Sequence, residues 1–212
     1  MQSPKERILK KIRTALTHAT EIPFPDVKNM ESKDTFHYTK EDLTVTFAEN
    51  FSKAGGNFFY CSNAAELSTQ LKQLLIKKEN IKAFCREPKL INFLQHADFH
   101  ALEFSKFSEC KAAITTCEKL IARTGSILMS SAQPGGRTTS VYAPIHICIA
   151  FTNEIVYDIF EGLEYMQQSK QNFPSLITLA TGPSRTADIE KTLVVGVHGP
   201  KEVYCFVVEN GF

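Results

Sequence analysis

The segment Ile145–Phe151 (IHICIAF) constrains the fold of this 212-residue chain more than any other, because His146 is its one polar residue. A short, nearly continuous apolar run is typical of a strand buried on both faces, and such strands occur in parallel sheets covered by helices. His146 is therefore predicted to be a core histidine with satisfied hydrogen bonds. Similar runs recur, and we predict further strands at residues 57–61, 81–85, 102–104, 112–115, 126–130, 176–180 and 203–208.

Segments with helical periodicity lie between these strands. Leucines at positions 67, 71, 74 and 75 share one face of a helix that Ser62 or Asn63 can cap. Further helices are predicted near residues 42–54, 89–95 and 153–168, with a helical turn after residue 115 and a short helix after Gly182. This alternation predicts the α/β class, specifically a three-layer αβα domain with helices on both faces of a largely parallel sheet.

The chain is predicted to consist of an N-terminal helix and linker arm at residues 1–35 and an α/β domain at residues 36–212. Ile8, Ile12 and Leu16 recur at every fourth position among charged residues, which is the spacing of an amphipathic helix. The following residues 22–34 contain two prolines and no periodicity, so a linker is expected there. Whether the helix packs on its own domain or on a second copy in a homo-oligomer stays open.

Charge and hydropathy narrow the function classes. Lysine and arginine total 24 against 23 acidic residues, and the two signs are interspersed. The chain has no basic stripe with interleaved aromatic residues, so no nucleic acid partner is predicted. It has neither an apolar run of membrane-spanning length nor the N-terminal pattern of a signal peptide, so no membrane association is predicted. We therefore expect a globular protein that stays in the cytoplasm.

The cysteine and histidine spacings give no sign of a metal site or a cofactor. Cysteines occur at positions 61, 85, 110, 117, 148 and 205, without a Cys-x-x-Cys pair or a run of the iron–sulfur type. No two histidines have the spacing of metal ligands. Four of the cysteines lie in predicted apolar strands, where cysteine behaves as a small hydrophobe. We predict that all six are reduced and structural, and that the chain holds no metal and no cofactor.

The loop at residues 131–140 (SAQPGGRTTS) is the first candidate for ligand binding, because it follows a predicted strand. Gly135 and Gly136 allow a ligand to approach the backbone closely, and the Arg137 guanidinium can clamp an anion through two hydrogen bonds. The loop fits neither a Walker motif nor a GxGxxG fingerprint. A flexible surface loop without a ligand is the alternative interpretation.

The turn after the predicted strand 176–180 is the second candidate. A glycine permits a sharp turn there, and free N–H groups at the start of the expected helix, beside Arg185, would form a seat for an anion. The alternative is a capped helix in which Arg185 pairs with Asp188 or a neighbour. The predicted binding residues on this turn are Gly182, Ser184, Arg185, Thr186 and Asp188.

We predict that the two loops share one cleft. Ligands of open parallel sheets bind at the carboxyl ends of the strands, so Arg137 and Arg185 would reach one anionic small molecule if the preceding strands are parallel. His198, in a later Gly-Pro turn, would join them only if an antiparallel last strand returned it there. A structural histidine is the alternative. Residues 124–126 precede their strand and are expected at the opposite edge as a tight turn.

The sequence does not identify catalytic residues. It contains neither a GxSxG nucleophile elbow nor a Ser-His-Asp pattern. The acids at positions 154, 158, 161 and 164 lie in the helix predicted at residues 153–168, and we expect them to form a solvated face. The catalytic residues therefore stay unknown at this level.

The segment 181–203, TGPSRTADIEKTLVVGVHGPKEV, resembles the C-terminal signature of the LUD-domain family, in its lactate-utilisation protein C (YkgG-like) branch. The resemblance extends upstream, from TGSI at residues 124–127 to PIHI at residues 144–147. The first hundred or so residues are similar only in the order of their predicted elements. The long C-terminal motif has an unusual composition and is specific for the family.

This resemblance implies a fold like that of the sugar-phosphate isomerases and CoA-transferases. It also implies a link to the oxidation of L-lactate to pyruvate by a complex with an iron–sulfur subunit. The present chain lacks the cysteine clusters of that subunit, so it resembles the non-redox partner, which would bind the iron–sulfur subunit and a small anionic ligand. Two alternatives stay open: a stand-alone enzyme on a phosphorylated or acyl-CoA-like substrate, by analogy of fold, and a purely structural interaction module.

Overall fold

The computed structural model describes residues 3–17, 42–79, 81–103, 107–169, 173–187 and 193–209. The chain divides into two compact units, residues 1–38 and residues 39–212. The second unit contains all of the described strands. In the described part of the chain, none of the helices combines the length and the hydropathy needed to cross a bilayer.

Helix α1 (Pro4–Leu16) of the first unit begins with a complete capping box. The Glu6 N–H donates to Ser3 Oγ, and the Ser3 N–H donates to the Glu6 carboxylate. Both groups would otherwise lack a partner in the first turn. The helix expected from the spacing of Ile8, Ile12 and Leu16 is thus present, whereas the linker predicted at residues 22–34 lies outside the described residues.

A six-stranded sheet forms the centre of the second unit, and every neighbouring pair in it is parallel. Its strands are β1 (Asn57–Cys61), β2 (Ala83–Phe84), β3 (Leu102–Glu103), β4 (Ala112–Thr115), β7 (Ile145–Phe151) and β12 (Glu202–Val208). The spatial order is β1-β12-β7-β4-β2-β3. All residues of β7 are buried, because β12 and β4 flank it and both faces of the sheet are covered. The predicted α/β class with a largely parallel sheet is confirmed.

Helices α3 (Ala64–Lys77) and α4 (Pro88–His96) pack against one face of this sheet. The four leucines predicted for the inner side of α3 are buried there with alternate residues of β7, among them Ile147 and Ile149. The Glu66 N–H donates to Asn63 Oδ1, which caps α3. The helical spacing of the leucines therefore predicts the packing of α3 correctly.

Helix α2 (Leu43–Lys53) and a second, four-stranded sheet cover the other face. The small sheet consists of β5 (Lys119–Ile121), β6 (Ser126–Ser130), β8 (Ile155–Val156) and β9 (Ile177–Ala180), in the order β8-β5-β6-β9. Strand β6 is antiparallel to both β5 and β9. A short helix, α5 (Thr139–Tyr142), lies between β6 and β7 in the chain. On the outer side of the small sheet, helix α6 (Ile159–Ser169) packs through Met166. The sequence indicates β6 and β9 as strands but not that they leave the parallel sheet.

Three predicted helical segments differ in the structure. The chain after Gly182 forms β10 (Arg185–Ala187), which pairs antiparallel with β11 (Leu193–Val195). The short helix predicted there is wrong, and the β-branched residues of both segments suit strand pairing. Strand β5 follows β4 where a helical turn was expected. The helix predicted from residue 153 begins only at Ile159, after a 3-10 turn and β8.

This late helix start also corrects the expected solvated face. Asp158 is 7% exposed and accepts a hydrogen bond from Arg123 Nε at 2.5 Å. Its second oxygen accepts from the Phe160 N–H at the start of α6. Because the chain reaches α6 only after Asp158, this carboxylate turns inward to Arg123 instead of toward solvent.

All six cysteines are free, and five of them are buried. Cys117, Cys148 and Cys205 lie in the core between the two sheets, where Cys148 and Cys205 are neighbours in the β7–β12 register. Burial raises the pKa of the Cys85 thiol to about 11 and that of Cys61 to about 12. These thiols are therefore protonated at neutral pH, as reduced structural cysteines should be.

Candidate functional site

Buried polar side chains gather at the carboxyl ends of β2 and β4, beneath the loop 131–138. Glu87, three residues after β2, is 4% exposed. Thr115 ends β4 and is also buried, and Thr116 follows it. The carboxyl ends of strands are where open parallel sheets bind their ligands. We therefore regard this region as the candidate site.

Glu87 occupies the N-cap position of α4, but its side chain makes no capping hydrogen bond. Instead, the Thr116 N–H donates to Glu87 Oε1 at 3.0 Å, and the Thr116 hydroxyl donates to Glu87 Oε2 at 2.5 Å. The carboxylate thus points away from its own helix and is held at the end of the neighbouring strand.

A chain of hydrogen bonds connects Glu87 to a second buried carboxylate, Glu118, which is 6% exposed. Gln133 Nε2 donates to the Thr116 hydroxyl at 3.2 Å, and the Ser130 N–H donates to Gln133 Oε1 at 3.0 Å. The Ser130 hydroxyl donates to Glu118 Oε1 at 2.6 Å. Because these donors and acceptors are matched, the network ties the loop after β6 to the ends of β2 and β4.

The protonation of two buried groups is shifted at this site. Burial raises the pKa of Glu87, while the hydrogen bonds from Thr116 act in the opposite direction. Burial lowers the pKa of His146 to about 4, so its ring is neutral at pH 7. His146 Nε2 lies 2.9 Å from Thr115 Oγ1, whereas Nδ1 has no hydrogen-bond partner in the described part of the chain. The predicted core position of His146 is right, but one ring nitrogen is unsatisfied.

A small cavity lies beside Glu87. Its volume is about 10 Å³, close to the room that one water molecule requires. Gly135 forms part of its wall, since a Cβ there would lie 3.5 Å from Glu87 Oε1. A ligand larger than water can enter only if the loop 131–138 moves. The residues lining the cavity are Glu87, Thr115, Met129, Gln133, Gly135, Gly136, Thr139 and Ser140.

Only some of the predicted residues of the first loop line this cavity. Gly135 and Gly136 line the cavity, and Gly136 has a φ of 62° with no atom within 4 Å of the position that a Cβ would take. Arg137 is exposed, does not line the cavity, and donates through Nη2 to Ser175 Oγ at 2.5 Å. Ligand binding by these three residues stays a prediction.

The second predicted loop lies at the other end of the domain. Because β9 is antiparallel to β6, with Ile127 opposite Ala180, the turn after β9 reaches the start of β6. The hydroxyls of Ser126 and Thr181 are 2.7 Å apart there. The expectation that the two loops share one cleft is therefore wrong, since it required parallel strands. Residues 124–126 and the Gly182 turn lie together at the same end of the small sheet.

Hydrogen bonds place this turn at the amino end of the parallel sheet. The Ser184 N–H donates to the Pro200 carbonyl at 2.9 Å, just before β12 begins. A Cβ on Gly182, whose φ is 75°, would lie 2.4 Å from the carbonyl oxygen of Ala54, shortly before β1. The turn thus packs against the segments that lead into two parallel strands.

Arg185 stabilises the C-terminal end of α2. Its Nη2 donates to the Ala54 carbonyl at 2.9 Å, and its guanidinium lies over Gly55, which has a φ of 90°. A cation at a helix C-terminus interacts favourably with the carbonyl groups exposed there. The contact supports the structural alternative, with Ala54 as partner. Asp188, the partner of Arg185 in that alternative, lies outside the described residues. Thr186 pairs with Val194 in the hairpin.

His198 lies beside this turn, at the opposite end of the domain from the Glu87 cavity. It is exposed, and the Gly196 N–H of the same turn donates to the Ser184 carbonyl at 2.9 Å. The last strand is parallel, so the condition under which His198 was expected to return is not met. The β10–β11 hairpin returns the chain to Ser184 instead.

The buried carboxylates of this site have no recognisable signature in the amino-acid sequence. Glu87 and Thr116 each follow an apolar strand, which is the same signal that selects the glycine loops, but neither is accompanied by glycine or arginine. Their proximity becomes visible only through the β2–β4 pairing. Among the described residues, no group of three or more His, Cys, Asp or Glu is arranged to hold a metal ion.

Comparison with known proteins identifies a matching family model and several relatives. The LUD domain model matches residues 95–208. Lactate utilization protein C of Bacillus subtilis (strain 168) is 35% identical over 118 residues, covering 54% of this chain and 49% of the relative. Uncharacterized protein YkgG of Escherichia coli (strain K12) is 31% identical over 113 residues, covering 52% and 48%. The chain thus spans about half the length of the curated relatives it matches.

A solved structure extends the similarity to most of the fold. The crystal structure of a DUF162 family protein from Deinococcus radiodurans superposes with a TM-score of 0.58 at 21% identity. It covers 81% of this chain and 99% of the solved chain. At this identity the likeness shows a shared fold.

Proposed function

The chain belongs to the LUD domain family, and from this premise we propose that it takes part in lactate utilisation as a non-redox component that binds a small anionic ligand. Relatives named lactate utilization protein C, at 35% identity in both Bacillus subtilis and Macrococcus caseolyticus, support the role. The matched segments cover about half of each protein, so the activity of the whole relative enters here as a proposal.

The observation that carries the ligand proposal is the Glu87 carboxyl. It is buried at the carboxyl end of the sheet, held by Thr116 and adjacent to the backbone of Gly135. No described residue in the cavity wall is cationic, so an ionised Glu87 would repel a carboxylate ligand. A protonated Glu87 can instead donate a hydrogen bond to it.

Two features favour the protonated form of Glu87 when the ligand binds. Burial already raises its pKa, and the negative charge of an arriving carboxylate favours the neutral acid further. A 2-hydroxy or 2-oxo acid such as lactate or pyruvate suits this site, because its carboxylate accepts from Glu87. Its hydroxyl or carbonyl oxygen can interact with the hydroxyls of Thr139 and Ser140, which also line the cavity.

Access to the cavity requires movement of the loop that carries Arg137. Its guanidinium is exposed and lies two residues from Gly135, which borders the cavity. In this proposal the opened loop brings Arg137 to the ligand carboxylate, where it forms charge-assisted hydrogen bonds. The Gly135-Gly136 pair supplies the backbone freedom for that movement.

Electron transfer is assigned in this proposal to an iron–sulfur partner. The cysteines of this chain are free and mostly buried, which supports a non-redox role. The test is affinity purification of the full chain from cells grown on lactate. Recovery of a stoichiometric iron–sulfur protein is expected, and recovery of the chain alone under conditions that retain other complexes would contradict the partnership.

The ligand proposal is tested by calorimetry with L-lactate and pyruvate at several pH values. If Glu87 must be protonated, each bound ligand takes up one proton, and affinity falls about tenfold per pH unit above the pKa of Glu87. Glu87→Gln should bind with little dependence on pH, because its amide donates at all pH values. Glu49→Gln, an exposed change on α2, is the matched control and should retain the wild-type profile.

Two results would contradict this assignment. If neither acid binds to the wild-type chain or to its complex, the proposed ligand class is wrong. An identical pH profile in wild type and Glu87→Gln would remove Glu87 from the site.

A stand-alone enzyme is the second candidate, favoured by the titratable groups near the cavity. Shifted pKa values such as those of Glu87 and His146 are common where acid–base catalysis takes place. Turnover of a phosphorylated or acyl-CoA-like substrate by the isolated chain, lost in Glu87→Gln, would support it. Without turnover or ligand binding, a structural interaction module would be the remaining function.

A further inference from the structure

We propose that the amino end of the parallel sheet carries a second ligand site, for a molecule of the nucleotide class, in which a flat heteroaromatic group is joined to phosphate. The site lies at the opposite end of the sheet from Glu87 and shares no residue with that cavity. It consists of two adjoining cavities that both include Lys77 and Lys78.

The first cavity has a volume of about 500 Å³ and combines amide and aromatic side chains. Asn57, Gln70 and Gln73 contribute donors and acceptors, and the rings of Phe59 and Tyr204 contribute apolar surface. Such a mixture suits a heteroaromatic group, which has polar edges and apolar faces.

Gln70 adds a specific recognition element. Its Nε2 donates to Glu66 Oε1 at 3.0 Å, which orients the amide because a carboxylate oxygen only accepts. The opposite atom, Gln70 Oε1, has no hydrogen-bond partner among the residues that the structure describes. Because this oxygen is buried, an exocyclic amino group of a ligand would provide the missing donor once the amide turns toward the cavity.

The second cavity has a volume of about 430 Å³ and is rich in lysine. Lys78 is paired with Glu202 at 2.6 Å, and Lys111 with Glu79 at 3.5 Å. Lys77 and Lys201 also line it, and neither has an ion pair within the described ranges. Two uncompensated ammonium groups therefore face this half, and phosphate oxygens are suitable partners for them.

The two adjoining cavities together indicate the class of ligand. Each cavity has the size of a small-molecule site, and Lys77 and Lys78 border both, so a ligand that passes over these two side chains reaches the amide-lined half and the charged half. An anion alone would use only the lysine half, and a base alone only the amide half. A nucleotide occupies both at once.

Calorimetry with ADP, adenosine and pyrophosphate tests this assignment on the full chain. ADP should bind at least about tenfold more tightly than either of its parts. Lys77→Glu should weaken ADP binding about tenfold through loss of a charge-assisted contact. Lys89→Glu, an exposed change at the start of α4, is the matched control and should leave binding unchanged.

A second variant separates the two halves. Gln73→Leu should weaken adenosine and ADP binding but leave pyrophosphate binding unchanged. Pyrophosphate binding as tight as that of ADP would overturn the nucleotide class, and absence of ADP binding at millimolar concentration would overturn the site. ADP binding that Lys77→Glu does not change would place it elsewhere. None of these outcomes depends on lactate binding at Glu87.

Discussion

The Glu87 cavity and the Arg185 turn lie at opposite ends of the small sheet and use similar residues for different purposes. At the cavity, Gly135 leaves room next to a buried carboxylate, and the neighbouring Arg137 stays exposed. At the turn, Gly182 is packed against the Ala54 carbonyl, and Arg185 donates to the same carbonyl. A Gly-rich loop with an arginine after a strand is therefore not by itself evidence of a ligand site.

The polar groups at the two ends differ in what remains available to a ligand. At the turn, the Ser184 backbone and the Arg185 side chain donate to carbonyls of the protein itself. At the cavity, the Glu87 carboxyl borders an internal space. We therefore propose that the turn belongs to the scaffold and that the cavity binds the ligand, and each part of this proposal can be tested.

Gly182→Ala should have the largest effect on stability. A Cβ at this position would meet the Ala54 oxygen at 2.4 Å, and φ is 75°, so steric overlap and backbone strain together should cost roughly 3–5 kcal/mol of unfolding free energy. Gly136→Ala is the matched control, because its φ is 62° but no atom lies within 4 Å. It should cost about 1 kcal/mol. Equal losses in urea unfolding would remove the distinction between the two glycines.

Burial of the neutral His146 ring should make the free energy of unfolding decrease at acidic pH. Its pKa in the folded protein is about 4, below the ordinary value of 6.5. The stability associated with the neutral ring is therefore complete above pH 6.5 and is lost as the pH falls toward 4. The loss should reach roughly 3 kcal/mol.

Urea unfolding at pH 7 and pH 4 checks this effect of His146. His146→Leu should lose less stability on acidification than the wild type by that amount. His96→Gln, which changes an exposed histidine of α4, should behave like the wild type. A wild-type slope in His146→Leu would show that burial of His146 does not shift its pKa as described.

Arg185→Ala and Arg137→Ala should have different effects, the first on stability and the second on lactate binding. Loss of the Arg185 contact to Ala54 at the end of α2 should lower stability by about 1 kcal/mol without changing lactate binding. Arg137→Ala should change stability by less than about 0.5 kcal/mol but weaken lactate binding. Melting curves and calorimetry on both variants provide the measurement. The reverse pattern would exchange the roles of the two arginines.

Glu87→Gln should have the smallest effect, a change in the pH dependence of stability. Because burial raises the pKa of Glu87, its contribution to stability is greatest below the ordinary pKa of glutamate and is lost as the pH rises through the folded value. Glu87→Gln removes this titration, so its stability should decline less than that of the wild type over this range. Parallel curves for the two proteins would indicate that burial and the Thr116 hydrogen bonds compensate one another.

Local physical chemistry determines much of this protein from the sequence alone. The apolar run of β7, the leucine spacing of α3 and the spacing of Ile8, Ile12 and Leu16 in α1 each depend on neighbours within a few positions, and the structure contains all three elements. The α/β class follows from their alternation. The motif at residues 181–203 indicates the family because it is long, although it does not indicate what its residues contact.

The tertiary structure alone decides the composition of the site. The direction of β9 relative to β6 depends on pairing between residues about fifty positions apart, and that direction separates Arg185 from Arg137. The shift in the pKa of Glu87 depends on burial at the end of β4, where Thr116, 29 positions away, holds its carboxylate. Periodicity within one segment carries no information about such distant partners, because strand direction and burial are properties of the assembled sheet.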